Sequence, residues 1–120
     1  MKRCHRLVRA SDFARVRQRG RSWAHPLLVL TVGRNESGAT RFGFVVGRRI
    51  GRAVVRNRVK RRLREAVRRH LDEVPAGWDL VLVARPPIAE AQFHEIEGAV
   101  AQMLRRARPW MSERGAAVEP

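Results

Sequence analysis

The segment from residue 53 to residue 71 does most to limit what this chain can become. At about 100° per residue, Val55, Val59, Leu63, Ala66, Val67 and Leu71 form one apolar stripe. That stripe predicts a long helix with one side buried in a core. Asn57, Lys60, Arg61, Arg64 and Arg68 share an arc of roughly 100° on the opposite side. Arg56 lies at the edge nearest the stripe, and Arg58 and Arg62 lie on the other flank with Glu65. A solvated helix face ordinarily mixes signs, because opposite charges four residues apart stabilise it. Here positions 56, 60, 64 and 68 repeat a single sign. Each such pair costs about a few tenths of a kcal/mol in isolation, and a phosphate backbone would offset that cost. Asn57 is the odd neutral residue in the arc. Its amide suits a phosphate or a base edge, and spacing alone equally allows a plain surface position.

Charge follows the same geography. Residues 41–70 hold twelve Arg and Lys against one acid, so +11 of the net +15 lies in a quarter of the 120-residue chain. A folded chain so charged repels itself unless a polyanion offsets it. Nucleic acid is the first candidate partner, and an anionic membrane surface is a distant second. Only Lys2 and Lys60 are lysine. Arginine grips phosphate with a planar fork and stacks on bases, although a codon bias toward arginine gives the same skew. Cys4 is the only cysteine, so no disulfide framework or cysteine-based zinc site is expected. No apolar run reaches the length of about 18 residues that a membrane span needs. Residues 1–9 have no apolar signal core. A cytoplasmic location is the expectation.

The chain length fits one domain. Residues 1–10 read as a basic, mobile arm. Ser11 is placed to cap a short helix with Asp12 in its first turn, Phe13 and Val16 on one face, and Gly20 as its stop. Trp23–Val32 reads as β-rich, interrupted by Pro26. Residues 35–38 read as a turn, and Arg41–Val46 as a second strand that makes a hairpin with the first. Residues 47–51 form a glycine-bounded basic loop that leads into the helix at 53–71. Trp78–Arg85 is a short strand of the kind buried on both faces. Pro86-Pro87 opens a last helix whose Phe93, Ile96, Val100, Met103, Leu104 and Ala107 face a core. Pro109 ends it, and residues 111–120 read as a disordered tail.

The run Arg41-Phe-Gly-Phe-Val-Val, followed by Arg49-Ile-Gly-Arg-Ala-Val-Val-Arg-Asn-Arg-Val-Lys-Arg-Arg-Leu-Arg-Glu65, closely resembles the signature of the bacterial ribonuclease P protein family. The resemblance extends to Arg6-Leu7, Asp12-Phe13, Val16 and Gly20, and to Leu82-Val83-Ala84-Arg85 with the proline after it. It implies an α+β fold, a single-domain α/β sandwich ordered α-β-β-β-α-β-α. The sheet has four strands, and an unusual left-handed crossover runs through the basic helix. The domain would span residues 1–110, with the tail from 111 outside it. The strand still to be found lies either at the end of 41–50 or in a split of 23–46.

The resemblance also implies a role: the RNA-binding subunit of ribonuclease P, which helps a catalytic RNA remove the 5′ leader of precursor tRNA and lowers the magnesium requirement. The RNA subunit is then the cofactor, Mg²⁺ is held mainly by RNA, and neither membrane nor DNA is a partner. Arg56, Asn57, Arg58, Lys60, Arg61, Arg64 and Arg68, with Arg48 and Arg49, would face the RNA subunit. Phe13, Arg17 and Leu30 would line a cleft for the single-stranded leader. Arg17 and Leu30 stand where many relatives have aromatics, which weakens base stacking there. Phe13 suits stacking, and spacing alone equally allows a core position.

Two rivals fit less well. An autonomous metal-dependent nuclease needs clustered carboxylates, but the eleven acids are scattered and none lies between 41 and 64. His5, His25, His70 and His94 make no metal-ligand spacing and no obvious acid–base pair. A ribosomal or DNA-binding structural protein fits the composition. A DNA reader should show a helix-turn-helix or a zipper, yet the basic helix is flanked by strands.

Overall fold

The sheet is built around its most apolar strand. The structure is a computed structural model that describes residues 10–35 and 38–118, with side chains for 13–35 and 38–113. The strands are β1 (Arg21–Ala24), β2 (Leu28–Arg34), β3 (Arg41–Val45) and β4 (Trp78–Ala84). The helices are α1 (Ala10–Arg19), α2 (Ala53–Arg68) and α3 (Phe93–Val118), with short 3₁₀ turns at Arg48–Ile50, Leu71–Glu73 and Pro86–Glu90. The order α-β-β-β-α-β-α is the expected one. The reading of residues 1–9 as a mobile arm, and the centre of the turn at 36–37, lie outside the described residues.

In the sheet the strands run β1-β2-β4-β3. β2 is antiparallel to both β1 and β4, whereas β3 is parallel to β4, which it reaches through α2. The expected hairpin between Trp23–Val32 and Arg41–Val46 is therefore wrong. Pro26 has no N–H to give a ladder, and the first stretch splits there into β1 and β2. The hairpin closes locally, with His25 N–H donating to the Leu28 carbonyl at 2.9 Å. β4, apolar on both faces, then takes the central place beside β2, and β3 goes to the edge.

Alternation along the strands gives each face its own packing. Leu28, Leu30, Val32, Phe42, Leu80 and Leu82 join Val59, Leu63, Ala66 and Val67 of α2 and Ile96, Val100, Met103 and Leu104 of α3 in the main core. On the other face Val16 of α1 packs on Val81, with Phe13, Val45 and Val83 around them. Gly20 lets α1 turn directly into β1. A Cβ there would lie 2.4 Å from the Val16 carbonyl oxygen and 2.5 Å from that of Val32, which no side chain tolerates.

Several boundaries differ from expectation. Ser11 lies inside α1 rather than capping it. α2 ends at Arg68, so Leu71 belongs to the following 3₁₀ turn. Pro86-Pro87 opens a separate 3₁₀ turn, and α3 starts only at Phe93, where the Glu95 carboxylate accepts the Gln92 N–H at 2.8 Å. Nor does Pro109 end α3, which crosses the expected domain limit at 110 and runs to Val118. A proline inside a helix costs about 3 kcal/mol. Burial beyond it offsets the loss: Met111 is 1% exposed, and Trp110 packs against Trp23 and Trp78 at centroid distances of 5.8 and 5.4 Å.

Candidate RNA interface

The approach to α2 is a tight basic turn. Ile50 is buried and anchors it, while Arg48 and Arg49 are exposed. Gly51 follows at φ 150°, a conformation that side chains rarely adopt, with space limited by Val55 at 3.2 Å. α2 begins without a side-chain cap and without an acid in its first turn. The partial positive charge of its N-terminus therefore adds to Arg48, Arg49 and Arg52, and the whole end attracts anions.

Along α2 the structure divides the basic residues into two groups. Asn57 and Arg61 are exposed, and Arg56, Lys60 and Arg64 are half-buried. Among the described residues no side-chain hydrogen bond or ion pair engages these five. The Nε atoms of Arg56 and Arg64 are buried with no acceptor, a state that costs free energy until one arrives. The second group is already engaged. Arg58 donates to the Ala89 carbonyl at 3.1 Å, and Arg62 donates to that of Ala91 at 3.0 Å. Both tie α2 to the segment before α3.

Glu65 does not stay with Arg58 and Arg62, as the helical wheel suggested. It accepts from Arg68 at 2.6 and 2.9 Å and from Arg69 at 3.0 Å. This is the ordinary i,i+3 and i,i+4 reach of a helix. The hydrogen bonds from Arg68 and then Arg69 hold the Glu65 carboxyl down at about 2. Arg68 is thus largely neutralised, and the acid-free row ends at Arg64. The Arg69 guanidinium also lies over the Phe93 ring, 4.8 Å from its centroid.

The second candidate surface is the face under α1. Phe13 is half-buried against Val16, Val81, Val45 and Val83, and Arg17 is exposed one turn further on. Leu30 does not line this face. It is 0% exposed within the main core, opposite Trp23 and Leu82 in the ladders. The positions of β2 that face the α1 side are its neighbours Val29 and Thr31, because side chains alternate. Thr31 shares a 2.8 Å hydrogen bond with Ser22.

Sequence reasoning passed over Asp79, Arg15, Arg41 and Asn35. Asp79 is wholly buried on β4. It accepts from Arg41 Nε and Nη2, each at 2.8 Å, from Arg15 Nη2 at 2.9 Å and from Asn35 Nδ2 at 2.8 Å. A signal was present. Asp79 is the lone charge in the apolar run 78–84, and a charge in a strand buried on both faces requires cationic partners. Among the described residues no three His, Cys, Asp or Glu side chains converge as a metal site would require, and no helix is long and apolar enough to cross a membrane.

Comparison with known proteins agrees with this layout. Residues 1–108 match the family model of ribonuclease P. A ribonuclease P protein component from Herpetosiphon aurantiacus is 43% identical over 110 residues, 92% of this chain and 89% of that protein. One from Chloroflexus aurantiacus is 45% identical over 108 residues, 89% of this chain and 80% of that protein. The solved RNase P protein of Staphylococcus aureus superposes with a TM-score of 0.80 at 29% identity, covering 86% of this chain and 94% of that one. That of Thermotoga maritima gives 0.77 at 30% identity, covering 84% and 96%. With the match spanning both the basic helix and the sheet, the chain belongs to the ribonuclease P protein family.

Proposed function

We propose that the chain works as the RNA-binding subunit of a ribonuclease P ribonucleoprotein and assists an RNA subunit in maturing the 5′ ends of tRNA. The observation that carries this reading is the acid-free row on α2. Arg56, Asn57, Lys60, Arg61 and Arg64, extended by Arg48 and Arg49, offer phosphate-binding groups with no side-chain partner among the described residues. Arg58 and Arg68 stand beside this row but hold the fold or pair with Glu65. The α1 face, with Phe13 half-buried and Arg17 exposed, suits a single-stranded 5′ leader by stacking and charge.

Chemistry belongs to metal ions held by the RNA. The buried acid Asp79 is already taken up by two guanidiniums and cannot hold Mg²⁺ as well. The decisive experiment compares cleavage of precursor tRNA by the protein alone, by a bacterial ribonuclease P RNA alone, and by both together over a range of magnesium. The expected result is no cleavage by the protein alone. Cleavage by the RNA should rise on adding protein at low magnesium, where protein charge replaces screening cations. Robust cleavage by RNA-free protein sinks the reading.

A further inference from the structure

Between α2 and α3 lies an open groove of about 470 Å³, lined by Arg61, Arg62, Glu65, Arg69 and Phe93. Its volume falls within the roughly 300–1,000 Å³ of small-ligand sites. The groove continues from the acid-free row, and Arg61 belongs to both. Arg61 is exposed, and no side chain among the described residues engages it. Glu65 and Arg69 follow at successive four-residue steps, which keeps all three on one side of the helix.

Arg69 is held at its edge and from one side. Its Nε donates to Glu65 at 3.0 Å and its Nη1 to Glu97 at 3.4 Å. Its guanidinium carbon lies 4.8 Å from the centroid of the Phe93 ring, which is half-buried against the main core. The Arg69 side chain is nevertheless 48% exposed, so these contacts leave the face turned away from the ring in contact with solvent. Ion pairs this exposed contribute little to stability. What the arrangement achieves is orientation: a flat cation fixed over an aromatic ring. Bases of unpaired RNA stack on such guanidinium planes. An acidic peptide would use the charge but not the plane, and would meet Glu65 and Glu97 beside it.

We propose that this groove takes one unpaired nucleotide of the RNA that lies along α2, its base stacked on the Arg69 guanidinium. Arg61 and Arg69 are about 12 Å apart along the helix axis, so the backbone leading to that base passes Arg61. The inference rests on the reading of α2 as the RNA interface and deepens it. The row grips phosphates, which position RNA without reading it; the groove adds a contact to a base. Phe93, Glu65 and Glu97 act through Arg69, as positioning residues.

The test is titration of the intact chain with a bacterial ribonuclease P RNA over a series of salt concentrations. Arg69→Lys keeps the charge and loses the plane. Phe93→Leu keeps apolar packing and loses the ring beside the guanidinium. Each should weaken binding by about fivefold, the low end of a stacking contact. The salt slope should not change, since no phosphate contact is lost. The double variant should lose little more than either alone, because both break one platform. Arg69→Lys, on an exposed side chain, carries the test should Phe93→Leu lose its fold. In a second measurement p-azidophenylalanine in place of Phe93 should crosslink to the RNA on illumination, and in place of Arg106 it should not. A lower melting temperature with unchanged affinity and no crosslink overturns the proposal, because a mere tether between α2 and α3 gives that outcome. A silent Arg69→Lys beside an Arg69→Gln that lowers both affinity and salt slope also overturns it, for Arg69 is then a phosphate contact. Arg56→Ala separates the two levels. If it weakens binding while the groove variants do not, the groove is wrong and the row stands. If the unaltered protein does not bind the RNA, the reading of α2 falls and the groove with it.

Discussion

Leu30 and Thr31 are neighbours with opposite surroundings. One is sealed between the sheet and two helices, and the other faces the α1 side. Both are ordinary strand formers, so composition could not say which faced which way. Register decides it, and register depends on partners far along the chain. Phe13 is different: its place on the α1 face was legible from helical spacing with Val16. Two substitutions at this scale separate packing from recognition. Phe13→Leu should weaken holoenzyme binding of precursor tRNA by about fivefold, the low end of a base–aromatic stack, with little change for mature tRNA. Leu30→Ala should cost about 2–5 kcal/mol of stability in urea denaturation, as buried leucines do. The precursor-to-mature ratio of the protein that still folds should not change. A shifted ratio for Leu30→Ala would return that residue to the cleft.

At the scale of elements, α2 was the most readable part of the chain. Its apolar side matched the observed burial of Val59, Leu63, Ala66 and Val67. Its end was less readable, because the stop at Arg68 has no glycine or proline to mark it. The tasks of Arg58 and Arg62 were invisible, since their acceptors, the Ala89 and Ala91 carbonyls, lie 31 and 29 residues later. Arg56→Ala, Lys60→Ala and Arg64→Ala should each weaken RNA-subunit binding and reduce its salt slope by about 0.7–0.9. Arg105→Ala and Arg106→Ala, on α3, should matter much less. Equal losses in both sets, measured by titration, would mean that charge acts diffusely. Glu65→Gln should do the reverse of the α2 alanines. It releases Arg68, while Arg69 keeps its pair with Glu97 at 3.4 Å, so affinity and salt slope should rise. The pH sign follows from the lowered Glu65 carboxyl. Its pairing favours the fold fully above the unfolded value near 4.5 and is lost as pH falls through about 2, so Arg68 stays engaged throughout the neutral range.

On the scale of the whole molecule, element order was readable from local pattern except for the split of β1 from β2, which only the family resemblance implied, and pairing was not readable. The rest of the order follows from local pattern, whereas the placing of β3 at the far edge follows from competition for the central position, which β4 wins by being apolar on both faces. The C-terminal end escapes a local reading for a related reason: Pro109 is a strong local stop, and only the tertiary corner formed by Trp23, Trp78 and Trp110 outweighs it. Truncation after Arg108 removes Trp110 and Met111 together. It should lower stability by about 3 kcal/mol or more, read as a drop in melting temperature, while RNA-subunit affinity of the folded fraction holds.

That corner has an optical consequence. The chain has three tryptophans and no tyrosine, and the two ring contacts bring all three tryptophans together. Its intrinsic fluorescence therefore originates from one place, where β1, β4 and the last turns of α3 meet, and not from α2 or the α1 cleft. Emission will report whether the C-terminal helix is seated and will stay quiet when the basic face is occupied. For a protein whose partners are RNA, that gives a label-free gauge of folding that is independent of binding.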